Sequence, residues 1–106
     1  MITEERAERA LRFLAETDDE YAEKKTNVER QAWCMSQAEH RVFKMSEGTI
    51  PDRKATAALS VEVSEATERW LEAMLVAKKL EAKRATQVLI YEFWRSLNAN
   101  RRQGSM

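Results

Sequence analysis

The stretch that decides the fold is residues 54–102, KATAALSVEVSEATERWLEAMLVAKKLEAKRATQVLIYEFWRSLNANRR. It contains neither Pro nor Gly, and its apolar residues recur at helical spacing. As one helix it would be roughly 70 Å long at about 1.5 Å of rise per residue. A compact domain of this size is only about 25–30 Å across. The stretch therefore predicts a long helix 2, over about 52–99, and excludes a simple globule.

The composition of the whole chain agrees with this prediction. Its 106 residues include only two Gly and one Pro, and 34% of them are charged. That balance is typical of long helices and coiled coils rather than of β proteins. No apolar run is long enough to cross a membrane, and the charged N-terminus has no signal-peptide core. We therefore expect a cytoplasmic protein without a membrane partner.

The first half of the chain carries a weaker helical pattern. Thr3 can cap a helix, and a column of apolar residues then recurs every seven positions: Ala7, Leu14, Tyr21, Val28, Met35 and Val42. The column four residues further on, which begins at Leu11, is poor in apolar residues. The pattern predicts a helix 1 over about 3–45. Because Thr17 and Glu20 match a capping box, a break near Thr17 remains an alternative.

Residues 46–51 form the one clear turn in the sequence. Gly48 suits the left-handed position after a helix, and Pro51 suits the first turn of the next helix. A short loop joins neighbouring helices antiparallel. The sequence therefore predicts an all-α fold, a long antiparallel helical hairpin in a single domain over 1–106, with a frayed tail at 100–106. A loosened segment near Ser60 also remains open, since Val61 and Val63 lower helix propensity.

The apolar residues of helix 2 predict self-association. Each helix of a hairpin covers only one side of the other, so part of this apolar surface would stay exposed. We expect the hairpins to assemble into an oligomeric bundle or ring through Trp70, Leu71, Met74, Phe93 and Trp94. A monomer of three or four shorter helices, with breaks near Thr17 and Ser60, is the alternative.

No catalytic constellation appears in the sequence. The chain has one cysteine, Cys34, and one histidine, His40, and it lacks a Gly-rich phosphate loop. We therefore predict a protein that is not an enzyme and needs no cofactor or metal.

The charges are balanced overall but separated along the chain. Residues 1–23 carry eight acidic and three basic residues, whereas residues 78–106 carry seven basic and two acidic ones. A basic strip on helix 2 can neutralise phosphates without reading sequence. It consists of Lys78, Lys79, Lys83 and Arg84. The strip can also be a solvated helix face, or a docking surface for the acidic N-terminal segment of another copy.

The second half of the chain resembles small phage-encoded helical proteins, specifically the UvsY family of recombination mediators from T-even phages. The features that carry the resemblance, in order, are a helix with basic residues including Arg41, the turn from Ser46 to Gly48, and a helix with the central Trp70. Members of that family form ring-like oligomers and bind single-stranded DNA. They help to load a recombinase onto strands covered by single-strand-binding protein. The resemblance assigns DNA contact to the residues around the turn, which are Arg41, Lys44, Arg53 and Lys54.

Two classes of function follow from these observations. The first is a phage-type recombination accessory protein that binds single-stranded DNA and protein partners, a recombinase or a single-strand-binding protein, as an oligomer. The second is a protein-only interaction module, such as a phage-encoded inhibitor of a host complex, that does not bind DNA.

Overall fold

The computed structural model describes residues 1–104, and three α-helices account for nearly all of them. Helix α1 spans Glu4–Met45, α2 spans Ile50–Ala58 and α3 spans Val61–Gly104. No strand occurs within the described residues. The all-α prediction is confirmed.

Helix α1 is continuous, so the alternative of a break near Thr17 is wrong. The Thr3 hydroxyl accepts a hydrogen bond from the Arg6 amide at 3.1 Å and caps the start of the helix. Thr17, in contrast, donates its hydroxyl to the Phe13 carbonyl oxygen at 2.7 Å. Because that bond is made back into the preceding helical turn, Thr17 lies inside the helix instead of starting a new one.

The predicted turn is present between α1 and α2. Gly48 has a φ of 110°, a left-handed conformation that side chains rarely adopt. Thr49 then caps α2, since its hydroxyl accepts from the Asp52 amide at 3.3 Å, and Pro51 lies in the first turn of the helix.

The prediction of one helix over 52–99 is wrong, because the helix is interrupted at Leu59 and Ser60, where the sequence had left a loosened segment open. The Ser60 hydroxyl donates to the Ala57 carbonyl oxygen at 3.0 Å and accepts from the Val63 amide at 3.1 Å. One side chain thus caps the end of α2 and the start of α3. The low helix propensity of Val61 and Val63 acts in the same direction.

The prediction of a frayed tail at 100–106 is also wrong for residues 100–104, which belong to α3. Arg101 and Arg102 lie in the last turn, where positive charge is favoured by the helix dipole. Ser105 and Met106 lie outside the described residues.

The chain divides into two compact units. Unit 1 combines Met1–Ala22 with the chain from Lys78 onward, and unit 2 is Glu23–Ala77. In unit 1, Asp18 contacts Arg84 and Met1 contacts Arg101, so the two segments run antiparallel. In unit 2, Arg41 contacts Glu62, while Asn27 and Gln31 line one pocket with Glu72 and Val76, which gives the same direction. The single domain over 1–106 remains a prediction.

Small residues form most of the buried surface in both units. The buried apolar residues of unit 1 are Ala7, Ala10 and Leu80, and those of unit 2 are Ala38, Ala57, Val63, Ala66, Ala73 and Ala77. No large side chain in the described residues is fully buried. Alanine lets two helices approach closely, but it buries little apolar area per residue. The packing of α1 on α3 therefore leaves large apolar side chains outside the core.

Candidate interaction surfaces

Two of the four cations predicted around the turn are held within unit 2. Arg53 donates from Nε to the Phe43 carbonyl oxygen at 3.1 Å, and its guanidinium lies 4.5 Å from the centre of the Phe43 ring. These contacts occupy the last carbonyls of α1, so Arg53 acts as a cap for that helix. Arg41 forms an ion pair of 2.7 Å with Glu62, and both side chains are about half exposed.

Lys44 and Lys54 have a different environment. Both side chains are exposed, and neither forms an ion pair within residues 1–104. Lys54 borders a groove of about 400 Å³ in unit 2. The groove is also lined by Glu39, His40, Phe43, Ala57 and Ala58. Of the four cations at the turn, these two lysines are the ones left open to a phosphate.

In the basic strip on α3, some cations also contact other residues of the protein while others remain exposed. Lys78 lies 3.4 Å from Glu81 on its own helix, an exposed pair of little energetic value. Lys79 and Lys83 are exposed, and no ion pair engages them in the described part of the chain. Arg84 points the other way and contacts α1.

Arg84 forms the main polar contact between α1 and α3 in unit 1. Its Nη1 donates to the Leu14 carbonyl oxygen at 2.9 Å and to the Thr17 hydroxyl at 2.6 Å, while Nη2 donates to Asp18 at 2.6 Å. The Arg84 side chain is only 18% exposed. With these bonds made, Arg84 is a structural residue, and the predicted DNA-contacting strip is reduced to its three lysines.

The sequence interpretation missed this role because it treated a charged residue as exposed. The role of Arg84 could have been found from the spacing of the residues along α1 and α3. Leu80, Arg84 and Gln87 continue the 3–4 spacing of the buried face of α3, and Ala10 and Thr17 form the true second column of α1. The residues in these two columns are small or polar. A search for regularly spaced large apolar residues therefore does not find them.

In unit 2, the predicted interface residues lie at the edge of the α1–α3 packing. Trp70 and Met74 are half-buried against it, whereas Leu71 is 46% exposed. Leu75 and Val76 are exposed as well. Trp33, which was not part of the predicted interface, is 64% exposed on α1. Unit 2 therefore presents apolar side chains from both of its long helices.

In unit 1, Phe93 is exposed and Trp94 is half-buried, with its ring 6.1 Å from that of Tyr91. The prediction missed Leu89, which is 70% exposed and lies one turn before Phe93. An apolar groove of about 500 Å³ follows this part of α3. It is lined by Ile2, Thr86, Leu89, Ile90, Glu92, Phe93 and Ser96.

No family model, curated protein or solved structure significantly matches this chain. No group of three His, Cys, Asp or Glu residues within residues 1–104 is arranged to hold a metal ion. None of the helices described for the chain combines the length and apolar character that a membrane crossing requires. The exposed apolar faces and the open lysines are thus the features on which a function can be argued.

Proposed function

We propose that this protein is a non-enzymatic cytoplasmic interaction module that works as a homo-oligomer. The observation that carries the proposal is the distribution of apolar side chains by size. Most buried apolar residues are alanines, whereas Leu71, Leu89 and Phe93 are all more than 40% exposed. Burying one large apolar side chain contributes about 1.5–3 kcal/mol. The packing of α1 on α3 does not bury these side chains. Contact with a partner would bury them and so stabilise the complex.

The test is sedimentation of wild type against Phe93→Glu at micromolar concentration. The Phe93 side chain is 56% exposed, so the substitution spares the α1–α3 core. We expect wild type to sediment as an oligomer and Phe93→Glu to shift towards the monomer, with unchanged helicity by circular dichroism.

The matched control is Leu59→Glu, because Leu59 is 86% exposed and lies at the α2–α3 junction of unit 2, whereas Phe93 belongs to unit 1. It should sediment like wild type. Equal loss of association in both variants would indicate a general effect of added charge and would contradict a specific apolar face.

A second candidate function is a phage-type recombination accessory protein that binds single-stranded DNA, together with a recombinase or a single-strand-binding protein. It is favoured by the exposed, unpaired state of Lys44, Lys54, Lys79 and Lys83 within the described residues. Arg41 adds to this set, since an exposed ion pair is worth only about 0–1 kcal/mol and a phosphate can displace it.

The DNA candidate is tested by titrating a labelled single-stranded oligonucleotide at several salt concentrations. Lys44→Glu/Lys54→Glu removes two phosphate contacts and should flatten the log–log salt slope by about 1.4, at about 0.7 per contact. The control is Arg9→Glu/Arg12→Glu, which changes the net charge equally on an acidic segment. The same loss of binding in both variants, or no binding by wild type at low salt, overturns this candidate.

A further inference from the structure

In unit 1, helix α3 has a second face that α1 leaves uncovered. The buried or half-buried residues of α3 between Leu80 and Asn98 are Leu80, Arg84, Gln87, Ile90, Tyr91, Trp94, Leu97 and Asn98, and Arg84 contacts α1 directly. A shift of two positions rotates about 200° around a helix, so the residues two positions beyond Leu80, Arg84, Gln87, Tyr91 and Trp94 lie on the side of α3 away from Arg84 and α1. These residues, which we name the outer seam, are Ala82, Thr86, Leu89, Phe93 and Ser96, and all five are exposed.

The outer seam has the spacing of a helix–helix contact. Its members alternate at intervals of four and three residues, which is the pattern of the core positions in a coiled coil. Leu89 and Phe93 supply large side chains at its centre, and the apolar groove of about 500 Å³ runs beside them. A second helix can therefore lie along this face.

The charges around the outer seam indicate what that helix is like. Lys79 and Lys83 flank its N-terminal end, and no carboxylate pairs with them in residues 1–104. Apart from Arg84, which faces α1, residues 78–96 carry four basic and two acidic side chains, and all six are exposed. A second α3 packed on this face would bring two basic segments together, which costs energy.

The acidic counterpart is part of the same chain. Residues 4–22 of α1 carry seven acidic and three basic side chains. Asp18 is engaged by Arg84, but Glu8, Glu16 and Asp19 are exposed and have no ion pair in the described structure. Leu11 and Ala15 lie exposed among them and can contact the apolar centre of the outer seam.

We propose that the outer seam binds the acidic segment 4–22 of α1 from a second copy of this chain. The inference rests on the proposed self-association and specifies its geometry. Because the outer seam lies on the side of α3 away from α1, the contact runs head to tail from one copy to the next. Acidic and basic helices then alternate along the assembly.

The experiment uses two charge-reversed variants. The first, Lys79→Glu/Lys83→Glu, makes the outer seam acidic at its end. The second, Glu8→Lys/Glu16→Lys/Asp19→Lys, makes the α1 segment basic. Every substituted side chain is exposed, and circular dichroism verifies that the helices persist. Each variant alone opposes like charges at every contact, so we expect at least about tenfold weaker self-association.

An equimolar mixture of the two variants brings opposite charges together wherever the two variants meet. We expect mixed oligomers of about wild-type stability, detected by sedimentation with one variant labelled. The control Arg9→Glu/Arg12→Glu has the same net charge as the first variant but makes the α1 segment more acidic. It should associate at least as strongly as wild type.

The outcomes separate this inference from the proposed function. If wild type associates and the charge-reversed variants associate equally well alone, the outer seam does not bind the acidic segment, while self-association stands. If the variants are weakened alone and their mixture gives no recovery, the pairing is also wrong. If wild type stays monomeric, the proposed function fails.

Discussion

Arg84 illustrates how a single residue determines the packing of unit 1. Its guanidinium makes two bonds to part-buried acceptors on α1, the Leu14 carbonyl and the Thr17 hydroxyl. Hydrogen bonds from a charged donor contribute about 1.5–3 kcal/mol, and the bond to the exposed Asp18 adds less. We therefore predict that Arg84→Ala lowers the free energy of unfolding by about 2–3 kcal/mol, measured by urea denaturation.

The matched control for Arg84 is Arg95→Ala. Arg95 is 62% exposed and, within residues 1–104, pairs only with Glu92 on its own helix, so its loss should cost about 0.3–0.5 kcal/mol. Arg84→Lys keeps the charge but loses the planar fork, and it should give an intermediate value. Similar losses for Arg84→Ala and Arg95→Ala would contradict a structural role for Arg84.

At the scale of elements, Ser60 separates α2 from α3. Its hydroxyl caps the start of α3 through the Val63 amide, and removal of such a cap costs about 1 kcal/mol. We predict that loss for Ser60→Ala in chemical denaturation. Ser64→Ala is the control: Ser64 is exposed inside α3, where alanine is the better helix former, so stability should hold or rise slightly. Equal effects at the two serines would mean that Ser60 is not a cap.

Local signals in the sequence were enough to predict most elements. Gly48 and Pro51 identified the turn, and Thr3 identified the start of α1, because each has a conformational preference of its own. The break at Leu59–Ser60 was raised only as an alternative to one continuous helix, since the apolar spacing of α3 continues back to Leu59. Arg84 was missed because its role depends on acceptors about 70 residues away, at Leu14 and Thr17. The spacing of residues along one helix does not show which hydrogen-bond acceptors the other helix presents to it.

Large apolar side chains remain exposed in both units of the molecule. Both units use alanine for close packing of α1 on α3, and both leave large side chains exposed, such as Leu71 in unit 2 and Leu89 in unit 1. The sequence predicted Leu71 and Phe93 as interface residues because it contained more apolar residues than a hairpin can cover. It did not single out Leu89, whose exposure depends on which face of α3 packs on α1.

Sedimentation of the wild-type chain over a range of concentrations tests whether the protein self-associates. We expect a mass that rises with concentration from 12.3 kDa towards a whole multiple of that value. The oligomer should dissociate when Phe93 is replaced by Glu. A mass of 12.3 kDa at every concentration up to the solubility limit would contradict the account.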